Sequence, residues 1–124
     1  MEAVISKKRD IQTQADILKV ITAFYEKARK NSSIGHYFLN VNWEAHLPLM
    51  AQFWSFIVLN TDQYRGNPMV KHQHMTDLTN EHFDIWLKLF TQAVDESFSG
   101  EIAESMKKNA NQIGQIFRIK LVSK

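Results

Sequence analysis

The residues from Thr79 to Val94 read TNEHFDIWLKLFTQAV, and this stretch decides the fold class. Its apolar residues recur at three- and four-residue steps, which is the spacing of one face of an amphipathic helix. Thr79 is a suitable N-cap because its hydroxyl accepts a hydrogen bond from a backbone N–H of the first turn. We therefore predict a helix that begins after Thr79 and places its larger apolar side chains on one face. These are Phe83, Trp86, Leu87, Phe90 and Val94.

Three further stretches repeat this periodicity on either side of the first. One extends from Ala15 to Ala28 and is ended by Asn31-Ser32-Ser33. A second begins near Asn42, a plausible N-cap, and extends to about Leu59, with Pro48 expected to tighten or kink its opening turn. Ser99-Gly100 precedes a fourth, in which apolar residues recur from Ile102 to Leu121. Since no run alternates with period two and no internal repeat is present, the sequence predicts an all-α protein of four helices.

Length and composition fit one ordinary domain. The chain has 124 residues, of which 44% are hydrophobic and 23% charged, so we expect a globule and not a disordered chain. We predict a flexible polar leader at residues 1–10 and a single domain at residues 11–124. The absence of cysteine excludes disulfides, a thiolate nucleophile, Cys-ligated zinc, iron–sulfur clusters and haem attached through cysteine.

Charge and hydropathy also limit the partners. Fifteen Lys and Arg oppose thirteen Asp and Glu, and a net charge of +2 is too weak to predict nucleic-acid binding. The longest apolar patch, Phe53 to Leu59, is far too short for a membrane span, and residues 1–6 lack the apolar core of a signal peptide. We expect a soluble, cytoplasmic monomer that binds neither nucleic acid nor membrane.

Three polar-tipped side chains lie on inner helix faces, where a plain helical bundle would not require them. Tyr25 follows Phe24 on the first helix, His46 lies on the second and Trp86 in the middle of the third. Each alone can be an ordinary core residue. Together they direct three donors inward from three helices, and a buried donor without an acceptor costs about 1–3 kcal/mol. Their convergence predicts a polar ligand between the helices.

The segment between the second and third helices adds a candidate metal ligand. His72 and His74 lie two positions apart, so on a helix they would point in different directions. A zinc site would need further ligands, and the nearby candidates form no recognised pattern; these are Asp77, His82 and Asp84. A single histidine facing donors across a cavity suits haem, because the macrocycle supplies four ligands and requires one from the protein.

The ordered set of these residues resembles the truncated haemoglobins, and within them the third group. The resemblance extends from about Ile17 to Leu121, and the Gly-Gly pairs typical of other groups are missing. Its anchors are Phe24-Tyr25, Ile34-Gly35, Phe38, Trp43, His46-Leu47, Phe53-Trp54, Tyr64 to Met69, His72, and His82 to Phe90.

The resemblance implies a two-over-two helical sandwich around non-covalent haem b, with His72 as the proximal ligand of the iron and His74 as a second candidate. Tyr25, His46 and Trp86 match the distal residues that face a ligand on the iron, and Phe38 matches the aromatic residue that packs on the porphyrin. Surface cations within reach of the propionates are Arg65, Lys71 and His36, which are otherwise solvated. The full set of expected haem-binding residues is His72, Phe38, Phe53, Arg65, Lys71, Met75 and Phe83.

The function implied is tight binding of dioxygen, and of carbon monoxide, nitric oxide and cyanide, at an open sixth position of the iron. Nitric oxide dioxygenation and peroxide activation are the candidate reactions, and both would need an external electron donor because the chain carries no reductase domain. Two alternatives stay open at this point. One is a haem-based ligand sensor, and the other is a haem-free helical interaction protein whose aromatic residues are core.

Overall fold

The computed structural model describes residues 8–60 and 78–121. These residues form four α-helices and one short 3₁₀ helix, and they contain no strand. The helices are α1 (Gln14–Lys30), α2 (Trp43–Leu59), α3 (Asn80–Ser97) and α4 (Glu101–Leu121). The prediction of an all-α chain with four helices is therefore confirmed. The 3₁₀ helix, Gly35–Phe38, was not predicted.

Helix α1 begins at a capping box, in which two side chains satisfy backbone donors of the first turn. The Thr13 hydroxyl accepts from the Asp16 N–H, and the Asp16 carboxylate accepts from the Thr13 N–H, both at 3.2 Å. Asp16 also receives two hydrogen bonds from the Arg9 guanidinium, at 2.6 and 2.8 Å. The hydrogen bond from Arg9 is the main reason that the pKa of Asp16 lies well below its usual range.

Helix α2 begins after the predicted N-cap, since the Asn42 side chain accepts a hydrogen bond from the Ala45 N–H at 3.3 Å. Pro48 lies in its interior and supplies no N–H to the carbonyl of Glu44. Both residues are on the exposed side of the helix, which continues to Leu59. It ends at Asn60, which adopts the left-handed conformation (φ 60°).

The segment before α1 caps the N-terminus of α4 through hydrogen bonds. The Asp10 carboxylate accepts hydrogen bonds from the N–H groups of Ile102 (2.8 Å) and Ala103 (2.9 Å), two of the donors that a helix N-terminus leaves free. Gly100 has φ +144° and lies so close that a Cβ would come within 2.6 Å of Asp10 Oδ2. Lys8, Arg9 and Asp10, the described part of the predicted leader, thus all form hydrogen bonds with the folded domain.

The helices are arranged as two pairs, α1 with α2 and α3 with α4, and α1 also packs on α3 while α2 packs on α4. The shared core is apolar and includes Ile17, Phe24, Trp54, Phe90 and Met106. This is the two-over-two arrangement predicted from the resemblance. Of the helices that the structure describes, none is both long and apolar enough to cross a membrane.

Candidate functional site

A cavity opens between the two helix pairs and is lined by residues from all five of the helical elements described above. It comprises about 920 Å³ of atom-free space, the solvent at its mouth included. The walls are mainly aromatic and aliphatic, so an apolar ligand would be favoured there. The polar tips that reach the lining belong to Tyr25, Tyr37, His82 and Trp86.

Aromatic side chains that line this cavity also pack into the hydrophobic core. The Phe90 ring lies 5.4 Å from Phe24, 5.0 Å from Trp54 and 5.7 Å from Trp86, measured between ring centroids. Phe24 also meets Trp86 edge to face at 5.8 Å. Since aromatic pairs at these distances gain about 0.5–1.5 kcal/mol beyond their burial, the rings hold Trp86 and its neighbours in defined positions.

Tyr25 and His46 form a hydrogen-bonded pair beside the cavity. The phenol oxygen lies 3.0 Å from His46 Nε2, although the two residues are 21 positions apart. Trp43 contacts both rings, at 4.9 Å from Tyr25 and 5.9 Å from His46. Burial raises the pKa of the Tyr25 phenol above its ordinary value, which already lies well above neutral pH, so the phenol keeps its proton. Tyr25 lines the cavity, whereas His46 is not among the lining residues and contacts Tyr25 through the phenol oxygen.

Trp86 lines the same cavity from α3, half-buried between Phe24 and Phe90. Among residues 8–60 and 78–121 its indole N–H has no hydrogen-bond partner. The structure therefore brings two of the three predicted distal residues to the cavity wall and the third into contact with one of them. Their roles toward a bound ligand stay predictions.

The predicted aromatic contacts of the macrocycle converge on the same space. Phe38, Phe53 and Phe83 all line the cavity, and the Phe38 ring lies 5.5 Å from Tyr25. His36 is exposed, and its ring lies 4.1 Å from the Tyr37 ring between centroids, at an angle of 36°. The remaining predicted site residues lie outside the described residues: Arg65, Lys71, His72, His74 and Met75. Leu78, the first described residue after that segment, lines the cavity.

Comparison with known proteins fits this architecture. A family model described as bacterial-like globin matches residues 10–117. The group 3 truncated hemoglobin ctb of Campylobacter jejuni is 31% identical over 111 residues, which cover 85% of this chain and 87% of that protein. The chain belongs to the truncated haemoglobins, in their third group. The crystal structure of the group III truncated hemoglobin from Campylobacter jejuni matches this truncated haemoglobin with a TM-score of 0.83 at 28% identity, covering 94% of this chain and 97% of that one.

A more distant structure shares the fold alone. A mutant of the truncated hemoglobin from Tetrahymena pyriformis, in its Fe(III) form, matches with a TM-score of 0.68 at 17% identity, over 89% of this chain and 92% of that one. Truncated haemoglobins bind haem and diatomic gases. The cavity of this truncated haemoglobin fits haem chemically, because its walls suit an apolar macrocycle and its lining also includes the polar side chains of Tyr25, Tyr37, His82 and Trp86. Within the described residues, no three His, Cys, Asp or Glu side chains are grouped to hold a metal ion by themselves.

Three positions gain a structural role that the sequence did not indicate. Trp43 was only an anchor of the resemblance, yet it packs on both members of the Tyr25–His46 pair. Tyr37 lines the cavity from the unpredicted 3₁₀ helix. His82, considered above as a zinc ligand and as an anchor of the resemblance, both caps α3 and lines the cavity. The Thr79-x-x-His82 spacing was the one available signal for that cap.

Proposed function

We propose that this truncated haemoglobin binds haem b non-covalently in the cavity, with His72 as the ligand of the iron, and binds dioxygen tightly. The observation that carries the proposal is the placement of the Tyr25 phenol and the Trp86 indole on one apolar cavity, with His46 bonded to the phenol. Haem supplies an iron with an open position at which dioxygen, carbon monoxide, nitric oxide and cyanide bind. What the protein adds is a set of oriented donors.

The hydrogen bond between Tyr25 and His46 determines where the phenol proton points. When His46 carries its proton on Nε2, it donates to the phenol oxygen, and the Tyr25 O–H is left to donate into the cavity. When the proton is on Nδ1, the Tyr25 O–H donates to His46 Nε2 at 3.0 Å instead. His46 is in this proposal a positioning residue, whose tautomer switches Tyr25 between donating to the ligand and donating to the imidazole.

The number of donors favours retention of a gas over its rapid exchange. A hydrogen bond to a charged or strongly polar partner contributes about 1.5–3 kcal/mol. Two such bonds, from Tyr25 and Trp86, would slow ligand release by about two to four powers of ten at about 1.4 kcal/mol per tenfold. This supports redox chemistry over oxygen transport: either dioxygenation of nitric oxide to nitrate by bound dioxygen, or activation of peroxide in place of dioxygen, with an external reductase as the electron donor.

The proposal is tested by the ultraviolet–visible spectrum of the purified protein titrated with haemin, in ferric, dithionite-reduced and carbon monoxide forms. We expect stoichiometric uptake with an intense Soret band that shifts on reduction and again with carbon monoxide. His72→Ala should change these spectra, and His74→Ala, the matched control two positions away, should not.

Two results would contradict the proposal in different ways. If haemin uptake by the wild type is not saturable, the cavity is not a haem site. If His74→Ala changes the spectra and His72→Ala leaves them intact, haem binding stands and the iron ligand is His74.

A further inference from the structure

His82 uses its two ring nitrogens differently, and only one of them serves the fold. Its Nδ1 accepts a hydrogen bond from the Thr79 N–H at 3.0 Å, while the Thr79 hydroxyl accepts from the His82 N–H at 3.2 Å. This is a capping box, in which the third residue of the helix is usually Glu or Gln. An acceptor at Nδ1 has no proton there, so a neutral His82 ring carries its proton on Nε2. Glutamate at this position would give the cap without that donor.

The second nitrogen, Nε2, belongs to a ring that lines the cavity. His82 is half-buried and lines the cavity, and its ring meets Tyr37 edge to face at 5.7 Å. Within the part of the chain that the structure describes, no group hydrogen-bonds to Nε2. Because the cap and Tyr37 fix the ring from two sides, the Nε2–H is a preoriented donor at the rim formed by α3 and the 3₁₀ helix.

The charged groups around this rim do not compete for the donor. Asp84 is bonded to the Arg118 guanidinium at 2.9 Å, and Glu81 is exposed to solvent. Arg118 also lies over the Phe83 ring, at 5.7 Å from its centroid. Among the described residues, the rim therefore presents an N–H donor that neither carboxylate engages, which suits an anionic oxygen of a ligand in the cavity.

We propose that His82 donates its Nε2–H to a carboxylate of the haem bound in the cavity, and so fixes which edge of the macrocycle faces the 3₁₀ helix. The inference rests on the proposed function, because haem brings the carboxylates. It separates the polar tips of the cavity into two groups. Tyr25 and Trp86 face the bound gas, and His82 holds the periphery of the cofactor.

The test compares haemin with haemin dimethyl ester, which keeps the macrocycle and iron but has no carboxylate. The dissociation rate of each is measured by transfer to excess apomyoglobin, for the wild type and for His82→Glu. This variant retains an acceptor for the Thr79 N–H and so keeps the capping box, which circular dichroism of the apoprotein verifies. It replaces the rim donor by a carboxylate. Lys88→Glu is the matched control, because it introduces a carboxylate on the same helix at an exposed position that does not line the cavity.

We expect His82→Glu to release haemin at least tenfold faster than the wild type, because the hydrogen bond to the haem carboxylate is lost and the new carboxylate repels that group. Both proteins should release the dimethyl ester at the same rate, and Lys88→Glu should behave as the wild type with both compounds. An equal acceleration for haemin and its ester would overturn the inference, since it would reflect packing alone, and so would unchanged rates or an equal acceleration of haemin release in Lys88→Glu. Failure of the wild type to bind haemin would instead reject the proposed function itself.

Discussion

Tyr25 has one hydroxyl proton, and the groups around it determine whether that proton is offered to a ligand. Tyr25→Phe removes it and keeps the ring contacts with Phe24, Phe38 and Trp43. We expect dioxygen to dissociate about 10- to 100-fold faster from this variant, since one strong hydrogen bond is worth about 1.5–3 kcal/mol. Trp86→Phe should give an acceleration of the same order. Stopped-flow displacement of dioxygen by carbon monoxide measures both rates.

Tyr37→Phe is the control for these two variants, because it removes a hydroxyl from the same cavity at the 3₁₀ helix. Its dioxygen dissociation rate should stay within about twofold of the wild type. Unchanged rates in both Tyr25→Phe and Trp86→Phe would remove the basis for assigning them to the bound gas.

Ser55 is a polar residue that the surrounding core does not satisfy. It is fully buried on α2, and among the described residues its Oγ has no hydrogen-bond partner. Burial of an unsatisfied hydroxyl costs about 1–3 kcal/mol, and alanine differs only by the loss of that oxygen. We expect Ser55→Ala to raise the free energy of unfolding by about 1 kcal/mol, measured by urea denaturation. The matched variant Ser105→Ala, at a serine whose oxygens accept hydrogen bonds from Asn109, should be neutral or destabilising. A Ser55→Ala protein less stable than the wild type would show that the hydroxyl is satisfied.

At the residue level, the sequence could predict which helix face a side chain lies on, but not which neighbouring group that side chain contacts. The helical periodicity placed Tyr25, His46 and Trp86 on inner faces, and the structure agrees. It could not show that the His46 imidazole bonds to the Tyr25 phenol, because that depends on how α1 and α2 pack across 21 positions. The sequence also could not predict the proposed role of His82 Nε2, since that role depends on the Thr79 N–H bonding to the other ring nitrogen, Nδ1.

The helix ends show the same division between local and distant information. Asn42 and Thr79 were predicted as N-caps because a cap bonds within its own first turn. The start of α4 is capped by Asp10, whose partner Ile102 is 92 positions away, and no local pattern could indicate this. The 3₁₀ helix has four residues, too few for a periodicity to be recognised.

The cap on α4 predicts how stability depends on pH. Burial alone would raise the pKa of Asp10, but the N–H groups of Ile102, Ala103 and Ile11 outweigh burial and lower it. The folded state therefore holds this proton more weakly than the unfolded state. The stabilisation that the ionised Asp10 carboxylate provides is complete above its pKa in the unfolded state, about 3.9. It is lost as the pH falls through the lower pKa of the folded state.

Asp10→Asn should accordingly lower the free energy of unfolding by about 1 kcal/mol at pH 7, because the amide keeps only one of the two oxygens that accept from the Ile102 and Ala103 N–H groups. The difference from the wild type should narrow as the pH falls below about 3.9, because the wild-type carboxyl is then protonated as well. Urea denaturation between about pH 3 and pH 7 measures this. Glu26→Gln, an exposed carboxylate paired with neighbours on its own helix, is the control and should change stability by less than about 0.5 kcal/mol. A constant difference across this range would contradict the assignment.

At the scale of the whole molecule, the cavity lies where the apolar faces of the four helices are not in contact with one another. The sequence predicted each stripe, and the resemblance predicted the sandwich, yet the cavity volume depends on how all five elements pack. A ligand that fills it should stabilise the fold in proportion to the logarithm of its free concentration. At one hundred times Kd this amounts to about 2.7 kcal/mol, or roughly 10 °C in Tm for a domain of this size.

Haem, the proposed ligand, would contribute to that stabilisation through both its macrocycle and its iron, and the two contributions can be separated. We expect iron-free protoporphyrin to raise the Tm of the wild type and of His72→Ala equally, because the aromatic walls around Phe38, Phe53 and Phe83 are unchanged. Haemin should raise the Tm of the wild type further, since His72 then binds the iron, but should add little in His72→Ala. Differential scanning calorimetry at several ligand concentrations measures each shift. Equal haemin shifts in the two proteins would show that His72 is not the ligand, whereas no shift with either compound would mean that the cavity binds no porphyrin.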